Sequence, residues 1–309
     1  MAVFPRSGRF VCFRCQARGD AIAFVQQLER LTFREAAARL ESGVTSLPRR
    51  AASLRVMPSR RRATSLTQAE AAVLAAAVDL YANRLFGDKA ALEYLERRGF
   101  GRDVLEWQRI GFANGDELVP YLRWRRLSVV AAHRVGLLRT GGREALAGRI
   151  VFPEIRQEQP IWLIGRVLGP AVKKKRYLAL PGPKPLLGWD QASRNPAGVC
   201  LVEGPMDLLA LTKWGVAGLA LCGTGLSAAN LQLLSQWQHL YAVLDADPAG
   251  QEATARLAEA FGSRLISVQL PPDAKDPADL APLPEGDALF RDAVREAVSH
   301  HTGRGKMDV

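Results

Sequence analysis

Five carboxylates in the last third of the chain have the types and spacing of a cation-binding site: Glu203, Asp207, Asp245, Asp247 and Asp276. Asp207 stands one helical turn beyond Glu203. Asp245 and Asp247 are separated by one residue, so both can reach one ion. Acidic side chains brought together repel unless a cation neutralises them. Hard oxygen donors suit Mg2+ or Mn2+ better than zinc. Such a cluster supports phosphoryl or nucleotidyl transfer, by orienting the attacking oxygen and screening charge at phosphorus. A lone Asp-x-Asp at a strand end is commonly a solvated turn. Here a Glu-Gly-x-x-Asp motif precedes it on an earlier strand.

The surrounding pattern says how these residues are positioned. Short apolar runs at 198–202, 216–222, 239–244 and 264–270 alternate with helical stretches at 205–214, 227–237 and 249–261. That alternation predicts a parallel α/β sheet. Ligands of such sheets sit beyond the C-terminal strand ends. Three of the runs end in Glu203, in Gly223-Thr224 and in Asp245/Asp247, so the chemistry gathers at one edge.

Charge divides the chain in two. Of 42 Lys and Arg, 34 lie in 1–200 and 8 in 201–309; of 31 Asp and Glu, 17 and 14 do, giving +17 and −6. A basic half points to a polyanion, since each phosphate neutralised releases counterions. The bland alternative is the arginine excess of a GC-rich genome, and Arg outnumbers Lys 34 to 8. The densest stretch is Lys173-Lys174-Lys175-Arg176, four adjacent cations that would repel without a polyanion. At 309 residues, 48% apolar and 24% charged, the chain has room for about two globular domains. Disorder, collagen-like repeats and a disulfide scaffold are excluded. No apolar run is long enough to span a bilayer. With no apolar leader at the start and only four cysteines, the expected setting is a reducing cytoplasm.

Ahead of the sheet, residues 1–19 read as strand and turn around Cys12-x-x-Cys15. Asp20 caps a helix carrying Ile22, Val25 and Leu28, and Thr32 with Glu35 opens another. Residues 44–66, with Pro48, Pro58 and the runs Arg49-Arg50 and Arg60-Arg61-Arg62, read as a basic flexible tether. A helix or helical pair is predicted over 67–98, capped by Thr67 and Glu70, then a short helix at 102–108 and the strand RIGFA. Residues 117–140 are helical in pattern. GRIVFP and IWLIGRVL form a hairpin around EIRQEQP. The run from Lys173 to Trp189 reads as loop.

VEGPMDLLAL, LDADPAGQEAT and KDPADL together resemble a Toprim domain, the metal-binding fold of primases, topoisomerases and certain nucleases. ALEYLERRGF with RIGFA, AGRIVFP, IGRVL, KRYLALPG and KPLLGWDQA resemble the basic half of a DnaG-type primase core. GRFVCFRC and the helices after it resemble the second half of that family's CHC2-type zinc-binding domain. The resemblance covers about 4–42 and 70–285. It implies a Toprim domain with a central, mostly parallel sheet flanked by helices. A basic α+β subdomain and a partial zinc-ribbon and helical N-terminus would precede it. The expected limits are 1–43 for the zinc-binding part, 44–66 for the linker, 67–197 for the basic subdomain, 198–284 for Toprim, and 285–309 for a C-terminal helix and tail.

The resemblance also implies roles. Glu203 would be the general base or metal-adjacent carboxylate, Asp245 and Asp247 metal ligands, with Asp207 and Asp276 completing the acidic site. Arg149, Arg166, Lys175, Tyr177 and Lys184 would line the path of template and nucleotide. The cofactor would be Mg2+ or Mn2+. Partners would be a single-stranded DNA template, ribonucleoside triphosphates, the RNA primer and a replicative helicase as a separate chain, with no membrane. Two departures stand out. Cys12 and Cys15 lack the family's upstream Cys-x-x-His pair, and two thiolates cannot close a tetrahedral zinc site. The family's Asp-Pro-Asp is here Asp276-Pro277-Ala278-Asp279, which moves one carboxylate and leaves one or two metals open. Only about 25 residues follow the Toprim segment, which suggests a phage or mobile-element version. Alternatives are a primase-like module that grips single-stranded DNA without synthesis and, with less support, a Toprim nuclease.

Overall fold

The computed structural model describes residues 2–4, 9–11, 18–29, 31, 35–36, 40, 66–169, 175–223, 226–245 and 247–304. The chain divides into two compact units, 1–65 and 66–309. In the first, β1 (Ala2–Phe4), β2 (Arg9–Val11) and β3 (Arg18–Asp20) form an antiparallel meander, followed directly by α1 (Ala21–Glu29). The Cys12/Cys15 pair with its zinc expectation, the Thr32 cap and all of the 44–66 linker except Leu66 lie outside the described residues.

The second unit opens on α2 (Gln68–Leu85). Its capping box is the one legible in sequence. Glu70 N–H donates to Thr67 Oγ1 at 3.3 Å, and Thr67 N–H donates to Glu70 Oε2 at 2.9 Å. Val73, Leu74, Ala77, Val78, Tyr81 and Leu85 recur at helical spacing and are buried. Asp88 then caps a separate helix, α3 (Lys89–Arg97), so the stretch 67–98 is a pair. There follow α4 (Arg102–Trp107), β4 (Gly111–Ala113), α5 (Leu118–Trp124) and α6 (Val129–Arg134). The helical pattern over 117–140 is thus two short helices, parted where Arg126 takes a left-handed φ of 54°.

A four-stranded antiparallel sheet comes next, β4 pairing with β5 (Arg149–Arg156), then β6 (Gln159–Val167), then β7 (Tyr177–Ala179). The expected hairpin is longer than its sequence suggests. Its turn is only Gln157-Glu158, both left-handed at φ 49° and 64°, so Glu154 to Arg156 and Gln159 belong to the strands. β7 falls in the run expected to be loop.

After α7 (Trp189–Ala192) comes the alternating part: β8 (Gly198–Val202), α8 (Pro205–Lys213), β9 (Gly218–Ala220), α9 (Ala228–Leu234), β10 (His239–Val243), α10 (Pro248–Phe261) and β11 (Leu265–Ser267). α11 (Pro277–Leu280) and α12 (Gly286–Arg304) close the chain. The strands are all parallel, in the order β11-β10-β8-β9. One face shares a core with the antiparallel half, through Tyr81, Phe152, Leu209 and Phe290. The other packs Leu201, Leu219, Leu240 and Leu257 around Trp237.

The two sheets are also joined by polar contacts. Leu187 exchanges both backbone hydrogen bonds with Ala220, at 3.0 Å each, and covers the β9 edge. Buried Glu154 accepts the Gly188 N–H at 2.7 Å and the Arg156 Nε at 2.7 Å, while Arg156 lies 4.5 Å over the Trp189 ring. Burial pushes the Glu154 carboxyl up to about 7, against the pull of Arg156. Among the described residues, no helix is long and apolar enough to cross a membrane.

Candidate active site and nucleic-acid interface

β8 and β10 are neighbours, with Val202 opposite Val243, so the chain leaves both strands at one edge of the sheet. Glu203 and Asp245 therefore meet. The Asp245 N–H donates to Glu203 Oε1 at 3.1 Å. Asp247 caps α10, its Oδ1 accepting the Gly250 N–H at 2.8 Å. Gly250 is what lets that helix start so close. A Cβ there would lie 2.1 Å from the Asp245 carbonyl oxygen and 2.6 Å from Glu203 Oε1. Asp207, 7% exposed, braces the turn after β8 by accepting the Gly204 N–H at 3.0 Å. Asp276 caps α11 and accepts the Asp279 N–H at 2.9 Å.

Burial is the main reason that the carboxyls of Glu203, Asp207, Asp245 and Asp276 are all pushed up, and they push each other further. Asp245 feels Asp276, Asp247 and Asp279; Glu203 feels Asp245, Asp247 and Asp276. The displaced carboxylate of the sequence, Asp279, thus belongs to the same field. Two cations oppose it. Arg176 draws Asp245 down, and Arg98 draws Asp276 down from 3.9 Å off Asp279, with its own Nε buried and without an acceptor. The pairing of Arg98 with Asp279 carries no signal in sequence, the two lying about 180 residues apart.

Among the described residues, no three side chains form a finished metal cage. The donors nonetheless fit Mg2+ or Mn2+: they are hard oxygens that repel one another. Mg2+ takes one or two carboxylates together with water and substrate phosphate rather than an all-protein cage.

The basic residues fall into two groups. Lys175, Arg176 and Lys184 are exposed. Lys184 Nζ donates to the Cys222 carbonyl at 2.9 Å, and Cys222 N–H donates to the Glu203 carbonyl at 2.9 Å, so this cation stands at the acidic edge. Arg166 is half-buried and donates to Tyr94 Oη at 3.0 Å and Tyr177 Oη at 2.8 Å. The Tyr177 hydroxyl lies 3.5 Å from where a Gly204 Cβ would be, so this pair backs the Glu203-Gly204 turn.

Arg149 differs from expectation. It is 5% exposed, and its guanidinium donates to the carbonyls of Gly165 at 3.3 Å, Lys175 at 3.0 Å and Arg176 at 3.2 Å. Its stem crosses the space that Gly165 leaves. Rather than lining a path, Arg149 supports the basic loop from inside. Cys200 and Cys222 are buried thiols, each pushed up to about 12 by burial.

The Toprim-like family model matches residues 200–281, and the CHC2 zinc finger model matches 1–49. The chain is 31% identical over 315 residues to the DNA primase of Deinococcus radiodurans, covering 94% of this chain and 52% of that protein. It is 30% identical over 327 residues to the DNA primase of Halalkalibacterium halodurans, covering 96% and 53%. The chain therefore spans about half the length of the curated relatives it matches. Among solved structures, the zinc-binding and RNA polymerase domains of Aquifex aeolicus primase superpose with a TM-score of 0.67 at 25% identity, covering 95% of this chain and 74% of that one. The RNA polymerase domain of Mycobacterium tuberculosis DnaG, in complex with a double-stranded DNA oligomer bearing a 6-nucleotide overhang, gives 0.66 at 28%, covering 74% and 80%. With two family segments in order, primase relatives along nearly its whole length, and the fold of the primase catalytic core, the chain belongs to the DnaG-type DNA primase family.

Proposed function

We propose that this chain synthesises short RNA primers on single-stranded DNA by metal-dependent nucleotidyl transfer. The observation that carries this reading is the contact between Glu203 and the Asp245 backbone at the edge of a parallel sheet, with Lys184 and Arg176 at the same edge. Glu203, Asp245 and Asp247, backed by Asp276 and Asp279, would hold Mg2+ or Mn2+, which when bound stabilises charge developing at the transferring phosphorus. Asp207, tied to Gly204, acts as a positioning residue for Glu203.

In the reaction the 3′-hydroxyl of the primer attacks the α-phosphorus of a ribonucleoside triphosphate. A P–O bond forms, the bond to the β-phosphate bridging oxygen breaks, and pyrophosphate leaves. Glu203 is suited to take the hydroxyl proton, because its surroundings raise its carboxyl above the ordinary 4.5. Lys175, Arg176 and Lys184 hold triphosphate and template phosphates, with Arg149 and Arg166 keeping their loop and turn in place. The basic subdomain at 67–197 would thus feed the Toprim domain at 198–284. Zinc at Cys12 and Cys15 needs two further ligands, and a helicase would act as a separate chain.

The test is incorporation of labelled ribonucleotide on a single-stranded template, with Mg2+ or Mn2+ and with a chelator. Metal-dependent products a few nucleotides long support the reading. DNA retention without incorporation under either metal supports a binding module instead, and strand cleavage supports a nuclease.

A further inference from the structure

Five helices of the described core end alike. The second residue past the helix turns left-handed, its N–H returns to the last turn, and the next N–H bonds back five residues. Glycine, which suits that conformation, fills the place after α3, α6 and α8 as Gly99, Gly136 and Gly215. After α4 and α5 the place is held by Arg109 and Arg126, at φ 50° and 54°. A side chain there is strained and needs a reason. Arg109 has one, an ion pair with Asp79. Arg126 is exposed, and its guanidinium has no ion pair or hydrogen bond among the described residues.

Its neighbours supply the reason. Trp124 is 75% exposed, and the half-buried Tyr121 ring lies 5.8 Å away, tilted by 32°. Arg123 and Arg125 are also exposed, and none of the three arginines meets a carboxylate among the described residues. Arg125 donates to Tyr121 Oη at 2.8 Å and lies over that ring. The helix beneath is firmly held: the Leu118 N–H donates to buried Glu144 at 2.8 Å, and Leu122 is fully buried. The result is a fixed stub that presents one large open ring among three guanidinium groups that meet no carboxylate among the described residues.

We propose that the tip of α5, with Trp124 as stacking platform and Arg123, Arg125 and Arg126 as phosphate contacts, docks single-stranded nucleic acid through residues that are not among those of the acidic edge. A duplex hides the faces of its bases, whereas a single strand offers them to a ring while its phosphates meet the cations. This rests on the polymerase reading only for the supply of such a strand, and binding is measured without nucleotides.

The full chain is titrated against a fluorescein-labelled oligodeoxythymidylate of about 16 nucleotides. Trp124→Ala should weaken binding by about 5- to 100-fold, and Trp124→Phe should restore most of it. Trp107→Ala, at another exposed tryptophan, should change nothing. Arg126→Gly should raise the melting temperature, because strain is relieved, and yet weaken binding and flatten the log–log salt slope by about 0.7. Equal binding by Trp124→Ala and the parent, equal loss for a duplex of the same length, or Arg126→Gly binding like the parent at every salt would overturn the platform. Unchanged binding by Trp124→Ala with primer synthesis intact would remove the platform and leave the polymerase reading standing. Absent synthesis with the Trp124 effect present would do the reverse.

Discussion

Gly250→Ala tests how tightly the first turn of α10 is pressed against the acidic corner. The new Cβ would stand 2.1 Å from the Asp245 carbonyl oxygen and 2.6 Å from Glu203 Oε1, while ordinary contacts begin above 3.0 Å. The Glu203 carboxylate can swing aside, but the Asp245 carbonyl is backbone, so the helix start or the strand end must shift by about 1 Å. Overpacking of this kind costs about 1–3 kcal/mol. In a chain this size that lowers the melting temperature by roughly 2–6 °C. A displacement of about 1 Å at reacting groups also slows chemistry by about 100-fold. Gly87→Ala is the matched control: its Cβ would meet only the Arg84 carbonyl, at 3.6 Å. That variant should keep full synthesis and be unchanged or more stable by about 0.4–1 kcal/mol. Thermal unfolding and primer synthesis are measured on both. If Gly250→Ala stays within twofold of the parent in rate and melts with it, the close approach of α10 to the Glu203–Asp245 corner is wrong.

Three further outcomes are expected. Glu154 has a folded value of about 7 against an ordinary 4.5, so its contribution to stability is complete below 4.5 and is lost as pH rises through about 7. Between pH 5 and 8 the parent should lose on the order of 1–3 kcal/mol relative to Glu154→Gln in urea unfolding; parallel curves would contradict this. Arg149→Met should destabilise by about 1–3 kcal/mol, since the buried Gly165 carbonyl and the part-buried Lys175 carbonyl lose the guanidinium donor, while the Arg176 carbonyl keeps the Val167 N–H. Arg149→Lys, lacking the planar fork, should recover little of it. Weakened DNA binding with unaltered stability would instead make Arg149 a direct contact. Asp245→Asn should raise the melting temperature of the metal-free protein by about 1–2 °C, because it removes a charge that burial disfavours and that neighbouring acids repel. A lower value would mean that Arg176 outweighs the acids around it.

What could be seen in the sequence was whatever local chemistry decides. The Thr67–Glu70 capping box, the strand-end carboxylates and the parallel alternation follow from spacing alone. The strand order β11-β10-β8-β9 does not, since alternation says nothing about which strands neighbour. Yet that order is what sets Glu203 beside Asp245. The Gln157-Glu158 turn escaped because neither residue favours the left-handed conformation it adopts. β7 escaped because its three residues follow a run of cations and precede Pro181. In sequence Arg149 reads as one of the cations lining the path of template and nucleotide; only the paired strands show Gly165 opening the space that lets it turn inward. Arg98 meets Asp279 only through tertiary packing, which spacing does not encode.

The most direct test of the acidic edge compares the parent chain with Glu203→Gln and Asp245→Asn, measuring both ribonucleotide incorporation on a single-stranded template with Mg2+ and retention of that template. Removing either carboxylate should abolish incorporation by at least about 100-fold while leaving template retention within twofold. Synthesis at the parent rate in both variants would contradict the assignment of chemistry to this edge of the sheet.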